Sequence, residues 1–317
     1  MQHLNCFSFS ATLALSVSFI ATTALASTVS FGSGANAFTM DFVAVGNVGN
    51  ADDSLAKPGP SGAVAYAYSI GTYEVSRDQI TKANVSGISM QNMTNYGGNG
   101  ANKPATGMSW VESAKFINYL NTSTGNAAAY KFDGSGAPQS WTAGETGYDA
   151  ANPIRNSGAR FVLASISEWH KAAFYDPTKS GGAGYWTYAN QSNTAPTAIS
   201  GGTNGAVWNQ LQANGPADVT NAGSLSYYGT MGQNGNAFEW TENIVNTAND
   251  ARLLYGGAWS TAGNSPLKNT APGSEIIPSS SNLIYGLRVV DLGPVPAPGA
   301  AALIGLAGLV SSRRRRN

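Results

Sequence analysis

The residues best suited to acid–base chemistry in this sequence are glutamates. Glycoside hydrolysis needs only two carboxylates flanking one bond, one to donate a proton and one to act as base or nucleophile. No local spacing marks two glutamates as such a pair, so the sequence assigns no catalytic residue. The candidates are Glu74, Glu112, Glu168, Glu239 and Glu242.

Histidine and cysteine chemistry is nearly excluded by residue counts. The sequence has one cysteine, Cys6, and two histidines, His3 and His170. One histidine in the body of the chain cannot form a multi-histidine metal site. A Ser–His–Asp triad would need His170 beside a serine and an acid, and there is no Gly-x-Ser-x-Gly motif. We therefore expect His170 to pack in the interior or to face solvent.

Tryptophan side chains offer flat faces on which a sugar ring can stack. Four of the seven tryptophans lie in apolar segments typical of a core: Trp110, Trp169, Trp240 and Trp259. The other three lie in loop-like segments and are freer to bind a ligand, although packing is the favoured role for each: Trp141, Trp186 and Trp208.

Residues 1–26 are predicted to be a secretory signal peptide. An apolar stretch over residues 11–26 ends in Ala-Leu-Ala, the small-residue pattern at which signal peptidase cleaves, immediately before Ser27. Residues 1–10 lack the usual Lys or Arg, and a buried N-terminal strand or helix is the alternative. Cleavage would leave a mature chain without cysteine, which excludes disulfides and thiolate chemistry.

The C-terminal segment, residues 292–317, has three parts in a fixed order. A proline-rich motif is followed by an apolar run over residues 300–310 and then by four arginines. As a helix the run would be ~16 Å long, too short to cross a hydrocarbon core of roughly 30 Å. The motif residues are Val295, Pro296, Ala297 and Pro298, and the arginines are Arg313, Arg314, Arg315 and Arg316.

This three-part order resembles the PEP-CTERM sorting signal, in which Val-Pro-Glu-Pro precedes a short apolar helix and a basic end. Ala297 stands in place of the glutamate. The resemblance implies export, transient membrane contact through the tail and processing by an exosortase-type protease, with the arginines held on the cytoplasmic side. The alternative is a C-terminal amphipathic or core helix.

The remaining body, residues 27–291, is mildly acidic. Four of the 17 basic residues are the terminal arginines, so 13 basic residues face 17 acidic ones outside the tail. This balance argues against nucleic acid as a partner. The body is long enough to bury its own core, and a single domain is expected.

Two helices are predicted from their starts. Ser109 and Glu112 form a Ser-x-x-Glu capping box in front of an apolar-periodic segment. Ser165 and Glu168 repeat the pattern at the start of a second helix over residues 165–175.

Short apolar pieces of β-type composition are scattered between long polar, glycine-rich loops. Few helices, many short strands and long loops together predict an α+β fold. The pieces are residues 38–45, 63–76, 237–240, 253–259 and 284–290.

Five sequence segments, taken in chain order, then indicate a family. They are 71–76 (GTYEVS), 160–169 (RFVLASISEW), 235–242 (GNAFEWTE), 252–259 (RLLYGGAW) and 286–288 (GLR). Together they resemble the formylglycine-generating enzyme, or sulfatase-modifying factor, family over roughly residues 38–291. The resemblance implies a C-type-lectin-like α+β fold that is loop-rich and poor in regular secondary structure.

The family's metal chemistry is not matched by residue type. Its enzymes bind copper through two cysteines after a Gly-Gly-Ser-aromatic strand, and Thr261 and Pro266 stand at those places. Iron-dependent relatives use several histidines, which this chain lacks. Neither copper nor iron is expected, and the domain is expected to be non-catalytic.

Calcium is the metal that the resemblance favours. The family's Gly-Asn-x-Trp-Glu turn holds Ca²⁺ through carbonyls and a carboxylate, the ligands that this ion prefers. Residue matching assigns the carbonyls of Gly232, Gly235 and Ala237 and the carboxylate of Glu239. Gly232 replaces an asparagine ligand, so only its carbonyl could serve. The alternative is that Glu239 bonds nearby backbone amides.

Three hypotheses for function follow from these observations. The first is an exported, non-catalytic protein of the cell envelope or extracellular matrix that binds a polysaccharide or an envelope protein. The second is an oxidoreductase or nonheme-metal enzyme of the same family with unidentified catalytic residues. The third is a purely structural matrix protein.

Overall fold

The computed structural model describes residues 26–91 and 100–293. The predicted signal peptide, apart from Ala26, lies outside these residues. So do the sorting motif at residues 295–298 and the arginines at 313–316.

Strands and helices alternate irregularly along the chain. The helices are α1 (Arg77–Asn84), α2 (Trp110–Ser123) and α3 (Ile166–Phe174). The strands are β1 (Ser27–Phe31), β2 (Phe38–Val45), β3 (Tyr68–Gly71), β4 (Lys131–Phe132), β5 (Pro138–Gln139), β6 (Phe161–Leu163), β7 (Tyr175–Asp176), β8 (Gly184–Tyr185), β9 (Thr197–Ala198), β10 (Gly205–Ala206), β11 (Phe238–Asn246), β12 (Ala251–Tyr255), β13 (Ser274–Ile276), β14 (Tyr285–Gly286) and β15 (Val289–Asp291).

The larger sheet joins both ends of the described chain. Its order is β1-β2-β3-β15-β6, with antiparallel neighbours throughout. Strand β2 follows the period of two that the sequence predicts: Phe38, Met40 and Phe42 are buried, while Thr39 and Asp41 face solvent. The predicted strand over residues 38–45 is confirmed.

A second sheet has the order β13-β12-β11-β14 and carries two of the candidate glutamates on β11. Strand β11 pairs antiparallel with β12 and parallel with β14. Glu239 and Glu242 are three residues apart on β11, and the register with β12 shifts between Trp240 and Ile244, so regular alternation of side chains is interrupted at Glu242.

Each helix begins with a capping box in which the serine hydroxyl and the third residue of the helix exchange hydrogen bonds with the backbone. The predictions of α2 and α3 are confirmed. Helix α1 was not predicted, although Ser76 and Gln79 form the same kind of box. The predicted extended segment over residues 63–76 is a strand only at β3, and residues 62–67 are irregular.

Aromatic side chains form much of the core. The Phe31 ring lies 5.4 Å from Phe38 and 5.1 Å from Phe161, which joins β1 and β2 to β6. The four tryptophans predicted to be core are each at most 1% exposed: Trp110, Trp169, Trp240 and Trp259.

Three helices and several sheets of short strands, joined by long loops, confirm the predicted α+β fold. Within residues 26–91 and 100–293, no helix has the length and apolarity needed to cross a membrane.

Candidate functional site

Four of the five candidate glutamates meet as two buried pairs, each with one arginine. Glu74 lies near Glu239, and Glu168 lies near Glu242; none is more than 3% exposed. The fifth, Glu112, caps α2 instead, since its carboxylate accepts hydrogen bonds from the backbone nitrogen and hydroxyl of Ser109.

Arg288 neutralises Glu239 in the first pair. Its Nε lies 3.0 Å from one carboxylate oxygen and its Nη2 lies 2.6 Å from the other. The indole nitrogen of Trp169 donates a further hydrogen bond of 2.6 Å to the same carboxylate. Both oxygens of Glu239 are therefore occupied by donors of the protein.

Backbone carbonyls complete the surroundings of the Arg288 guanidinium. Nη1 donates to the carbonyls of Gly71 at 2.9 Å and Thr72 at 3.0 Å, and Nη2 donates to Met231 at 2.6 Å. A carboxylate and three carbonyls surround this cation, and Arg288 itself is 1% exposed. A buried charge is tolerated when its hydrogen bonds are satisfied in this way.

Glu74 is the second carboxylate of this pair. It accepts hydrogen bonds from the Asn236 side chain at 2.6 Å and from the Ala237 backbone nitrogen at 2.9 Å. Burial, together with the negative charge of Glu239, raises the pKa of Glu74 well above its ordinary value. One arginine thus lies near two carboxylates, only one of which it contacts, and the pKa of the other, Glu74, is raised.

The structure brings the four predicted calcium ligands into this neighbourhood. Gly232 has φ +91°, and a Cβ added there would lie 2.9 Å from the Glu74 carboxylate. The Glu74 side chain therefore fills the space that the family's asparagine would need. Gly235 has φ +124°, and a Cβ there would lie 2.3 Å from the carbonyl oxygen of Val207. Both positions require glycine.

The donors at Glu239 do not leave its carboxylate free for a metal. A Ca²⁺ ion bound there would have to displace Arg288 or share the carboxylate with it, at the cost of bringing two cations together. Within the described ranges, no three His, Cys, Asp or Glu side chains are grouped to hold a metal ion. Calcium binding by Gly232, Gly235, Ala237 and Glu239 stays a prediction.

The second pair is bridged by Arg155, which lies in the long loop before β6. Its Nη2 lies 3.1 Å from Glu168 and its Nη1 lies 3.4 Å from Glu242. The hydroxyl of Tyr66 donates to Glu168 at 2.6 Å. Glu242 accepts from the Asn152 side chain at 2.8 Å.

The pKa values of the two glutamates in this pair are shifted in opposite directions. Burial opposes ionisation of Glu168, but Arg155 and the hydrogen bonds from Tyr66 and the Ser165 backbone outweigh it and lower the pKa of Glu168. Burial and the nearby charge of Glu168 raise the pKa of Glu242, although Arg155 acts against this. All four carboxylates of the two pairs are buried and accept hydrogen bonds from groups of the protein.

His170 has the packing role expected of it. The side chain is 2% exposed, its ring lies 4.9 Å from Phe174, and Nε2 lies 3.1 Å from the Asp53 carboxylate. Asp53 also accepts a hydrogen bond from Asn269 at 2.7 Å. Burial opposes ionisation of Asp53, but the hydrogen bonds outweigh it and lower its pKa. No serine hydroxyl of the described chain bonds to His170, so the arrangement stops short of a triad.

The positions of the family's copper-binding cysteines have structural roles. The Thr261 hydroxyl accepts a hydrogen bond of 2.8 Å from the Ala258 backbone nitrogen. Pro266 lies in a single 3₁₀ turn, Ser265–Leu267. Neither side chain is a ligand for a soft metal ion.

The three loop tryptophans are half-buried, with their indole nitrogens bonded to the protein. The partners are the carbonyl of Ala129 for Trp141, the carboxylate of Asp176 for Trp186 and the carbonyl of Pro196 for Trp208. A lysine lies over two of the rings, Lys131 over Trp141 and Lys179 over Trp186. Each ring is fixed in place, and part of it faces solvent.

Sequence reasoning missed the two arginines that organise the site. Arg288 lies in the fifth of the segments that resemble the family, residues 286–288, but the sequence does not indicate that it pairs with Glu239. Arg155 lies in a polar loop where no spacing or motif sets it apart. The pairing of the glutamates depends on contacts between segments distant in sequence, for which the sequence holds no local signal.

Comparison with known proteins agrees with this fold. The sequence matches the family described as sulfatase-modifying factor enzyme 1-like domain over residues 28–292. Treponema denticola variable protein 1 is 19% identical with a TM-score of 0.57, and the match covers 83% of this chain and 98% of that one. The crystal structure of CarF is 18% identical with a TM-score of 0.51, covering 80% and 98%. No curated protein matches. The shared fold is C-type-lectin-like and α+β, as expected from the sequence.

Replacing Arg288 should destabilise the domain strongly. Arg288→Ala leaves Glu239 buried without its counter-ion, which costs about 3–5 kcal/mol of unfolding free energy. Lys82→Ala is the matched control, because Lys82 pairs with Asp78 at 2.8 Å and both side chains are partly exposed, at 29% and 40%. That control should lose no more than about 1 kcal/mol. Urea unfolding measures the free energy of unfolding of both variants. Equal losses would contradict the assignment of Arg288 as the buried counter-ion of Glu239.

Stability should fall as pH rises above the ordinary glutamate pKa of 4.5. Between that value and the raised pKa of folded Glu74, the unfolded chain has lost the proton that the folded chain keeps, so rising pH favours unfolding. Urea unfolding over a pH series measures this slope. Glu74→Gln should make it shallower. Glu145→Gln is the control, because the pKa of exposed Glu145 is lowered to about 2 by its hydrogen bonds with Lys131 and Thr142. An unchanged slope in Glu74→Gln would refute the assignment.

Proposed function

We propose, on the premise that this chain belongs to the sulfatase-modifying factor enzyme 1-like domain family, that it is a non-catalytic member working outside the cytoplasm. Its domain serves a binding or structural role at the cell envelope or in the extracellular matrix. The family is set by the match over residues 28–292. The proposed non-catalytic role is supported by the residues that stand at the family's metal-binding positions.

The observation that supports a non-catalytic role is the state of the reactive side chains. Thr261 and Pro266 replace the two cysteines, and the Thr261 hydroxyl is bonded to the Ala258 backbone. His170 is buried against Asp53. The paired glutamates are held internally by Arg155 and Arg288. The alternative, an oxidoreductase or nonheme-metal enzyme of the family, would need reactive residues that these positions do not supply.

Export and sorting complete the proposal. The signal peptide at residues 1–26 directs the chain across the membrane, and the PEP-CTERM-like tail presents it to an exosortase-type protease. A lectin-like scaffold carries variable loops on a stable core, and such loops suit the binding of a polysaccharide or an envelope protein. The acidic balance outside the tail disfavours nucleic acid.

A direct assay separates the binding role from the enzymatic one. The purified full-length protein, incubated with oxygen and a cysteine-containing sulfatase peptide, should give no formylglycine, because its single cysteine, Cys6, cannot supply the two thiolates that hold copper. Mass spectrometry of the peptide is the readout. Elemental analysis should find copper and iron far below one ion per chain, and it reports separately whether calcium is bound. Turnover, or a stoichiometric redox metal, would overturn the non-catalytic role.

Processing at both ends is testable in the native bacterium. Protein recovered from the envelope and the culture fluid should begin at Ser27 and lack the four arginines, as read by intact-mass and terminal-peptide analysis. Changing Arg313, Arg314, Arg315 and Arg316 to alanine should leave the leader cleaved but the tail attached, because the basic stop is lost. An intact leader on the recovered protein would refute export by this route, and tail removal in the alanine variant would refute the sorting role of the arginines.

A further inference from the structure

A cavity of about 330 Å³ lies at the end of β12 away from Thr261 and Pro266. Trp110 at the start of α2 and Arg252 on β12 contribute its deepest side chains, each at most 2% exposed. The β4–β5 hairpin contributes Lys131 and Gln139 to its wall. The volume is at the lower end of the range for small-molecule sites, about 300–1,000 Å³.

Arg252 lies at this cavity, and one nitrogen of its guanidinium lacks a hydrogen-bond acceptor among the described residues. Its guanidinium carbon lies 4.3 Å from the centre of the Trp110 ring, and Nη2 lies 3.0 Å from the Asp250 carboxylate. Nη1 donates to the backbone carbonyl of Glu242. Nε is buried and has no acceptor in the described part of the chain. An unpaired donor on a buried cation is costly, and an acceptor supplied by a ligand would remove that cost.

Two cations and one carboxylate line the cavity, and each cation is paired with a carboxylate of the protein. Lys131 and Arg252 bring two positive charges, and Asp250 brings one negative charge. Lys131 is paired at 2.7 Å with Glu145, which is 36% exposed and does not line the cavity. Asp250 is 34% exposed, so both carboxylates lie towards solvent while Arg252 lies deeper. A ligand carboxylate could reach the cations by competing with these two exposed partners.

Neutral hydrogen-bonding side chains line the cavity beside the apolar Pro138 and Ile154. Gln139, Ser140 and Thr142 are exposed and line the opening. Hydroxyl and amide groups around a pair of cations suit a molecule that carries many hydroxyls and one carboxylate, and the space exceeds what a bare carboxylate needs.

We propose that this cavity binds a carboxylate-bearing sugar, a uronic acid unit of an acidic polysaccharide. The carboxylate is bound by Arg252 and Lys131, and the sugar hydroxyls are bound at the rim by Gln139, Ser140 and Thr142. The proposal rests on the binding role given above and names its ligand class and site.

Calorimetry with the full-length protein tests the proposal. The probes are oligomers of galacturonate, glucuronate, mannuronate and guluronate, the same oligomers with their carboxyl groups reduced to alcohols, and free acetate. Binding of at least one uronate oligomer is expected, with no detectable binding of its reduced form or of acetate. Affinity should fall with added salt, because the contact is between opposite charges.

Matched variants locate the site. Lys131→Gln should weaken uronate binding about ten-fold, equivalent to about 1.4 kcal/mol. Lys179→Gln is the control, since Lys179 also lies over a tryptophan ring, 4.7 Å from the centre of Trp186, but away from the cavity. Glu145→Gln should strengthen binding, because it frees Lys131. Ser140→Trp should block the opening and abolish binding, while circular dichroism confirms that each variant folds.

Several results would overturn the proposal. They are no binding of any uronate oligomer, equal binding of the reduced oligomers or of acetate, equal effects of Lys131→Gln and Lys179→Gln, or weaker binding in Glu145→Gln. Failure here is distinguishable from failure of the proposed function. An exported, inert protein that binds no uronate refutes the cavity alone, whereas uronate binding accompanied by turnover refutes the non-catalytic role and leaves the cavity in place.

Discussion

The buried guanidinium of Arg288 joins the paired strands β11 and β14, of which β11 carries Glu239, to the end of β3 and to the loop at Met231. Arg288 lies between β14 and β15, Glu239 lies on β11, and the guanidinium also binds carbonyls at the end of β3 and in the loop at Met231. A guanidinium so far from water is stable only when its donors are satisfied. The requirement therefore fixes the two sheets and a loop together at one point.

Arg155 does the same for the loop-rich side of the domain. It ties the long loop before β6 to the first turn of α3, through Glu168, and to β11, through Glu242. In both clusters one arginine faces two carboxylates, so one negative charge is in excess. Burial, together with the charge of the neighbouring carboxylate, raises the pKa values of Glu74 and Glu242. Four of the five glutamates that the sequence offers for catalysis thus make buried contacts within the fold.

Local signals explain which features could be predicted from the sequence. Strand β2 follows from its period of two, and α2 and α3 follow from capping boxes in front of apolar-periodic segments. Helix α1 has its own box but a mostly polar sequence, RDQITKAN, which obscured it. The glutamate pairs were beyond prediction, because Glu74 and Glu239 meet only through the tertiary fold. The family resemblance supplied the topology that periodicity could not.

The two arginines Arg288 and Arg252 show how a structural cation differs from one positioned for a ligand. Both are buried, and both contact a carboxylate and a backbone carbonyl. Each nitrogen of the Arg288 guanidinium donates to an acceptor of the protein, so a ligand could add nothing there. Arg252 keeps its Nε without an acceptor and lies at a cavity, and its carboxylate partner is partly exposed to solvent. The hydrogen bonds of Arg288 are complete, whereas Arg252 has a donor left without an acceptor in the part of the chain that the structure describes. A ligand that supplies an acceptor would therefore gain more at Arg252 than at Arg288. Arg252 is at the opposite end of β12 from the family's metal chemistry, so binding there would not depend on the lost cysteines.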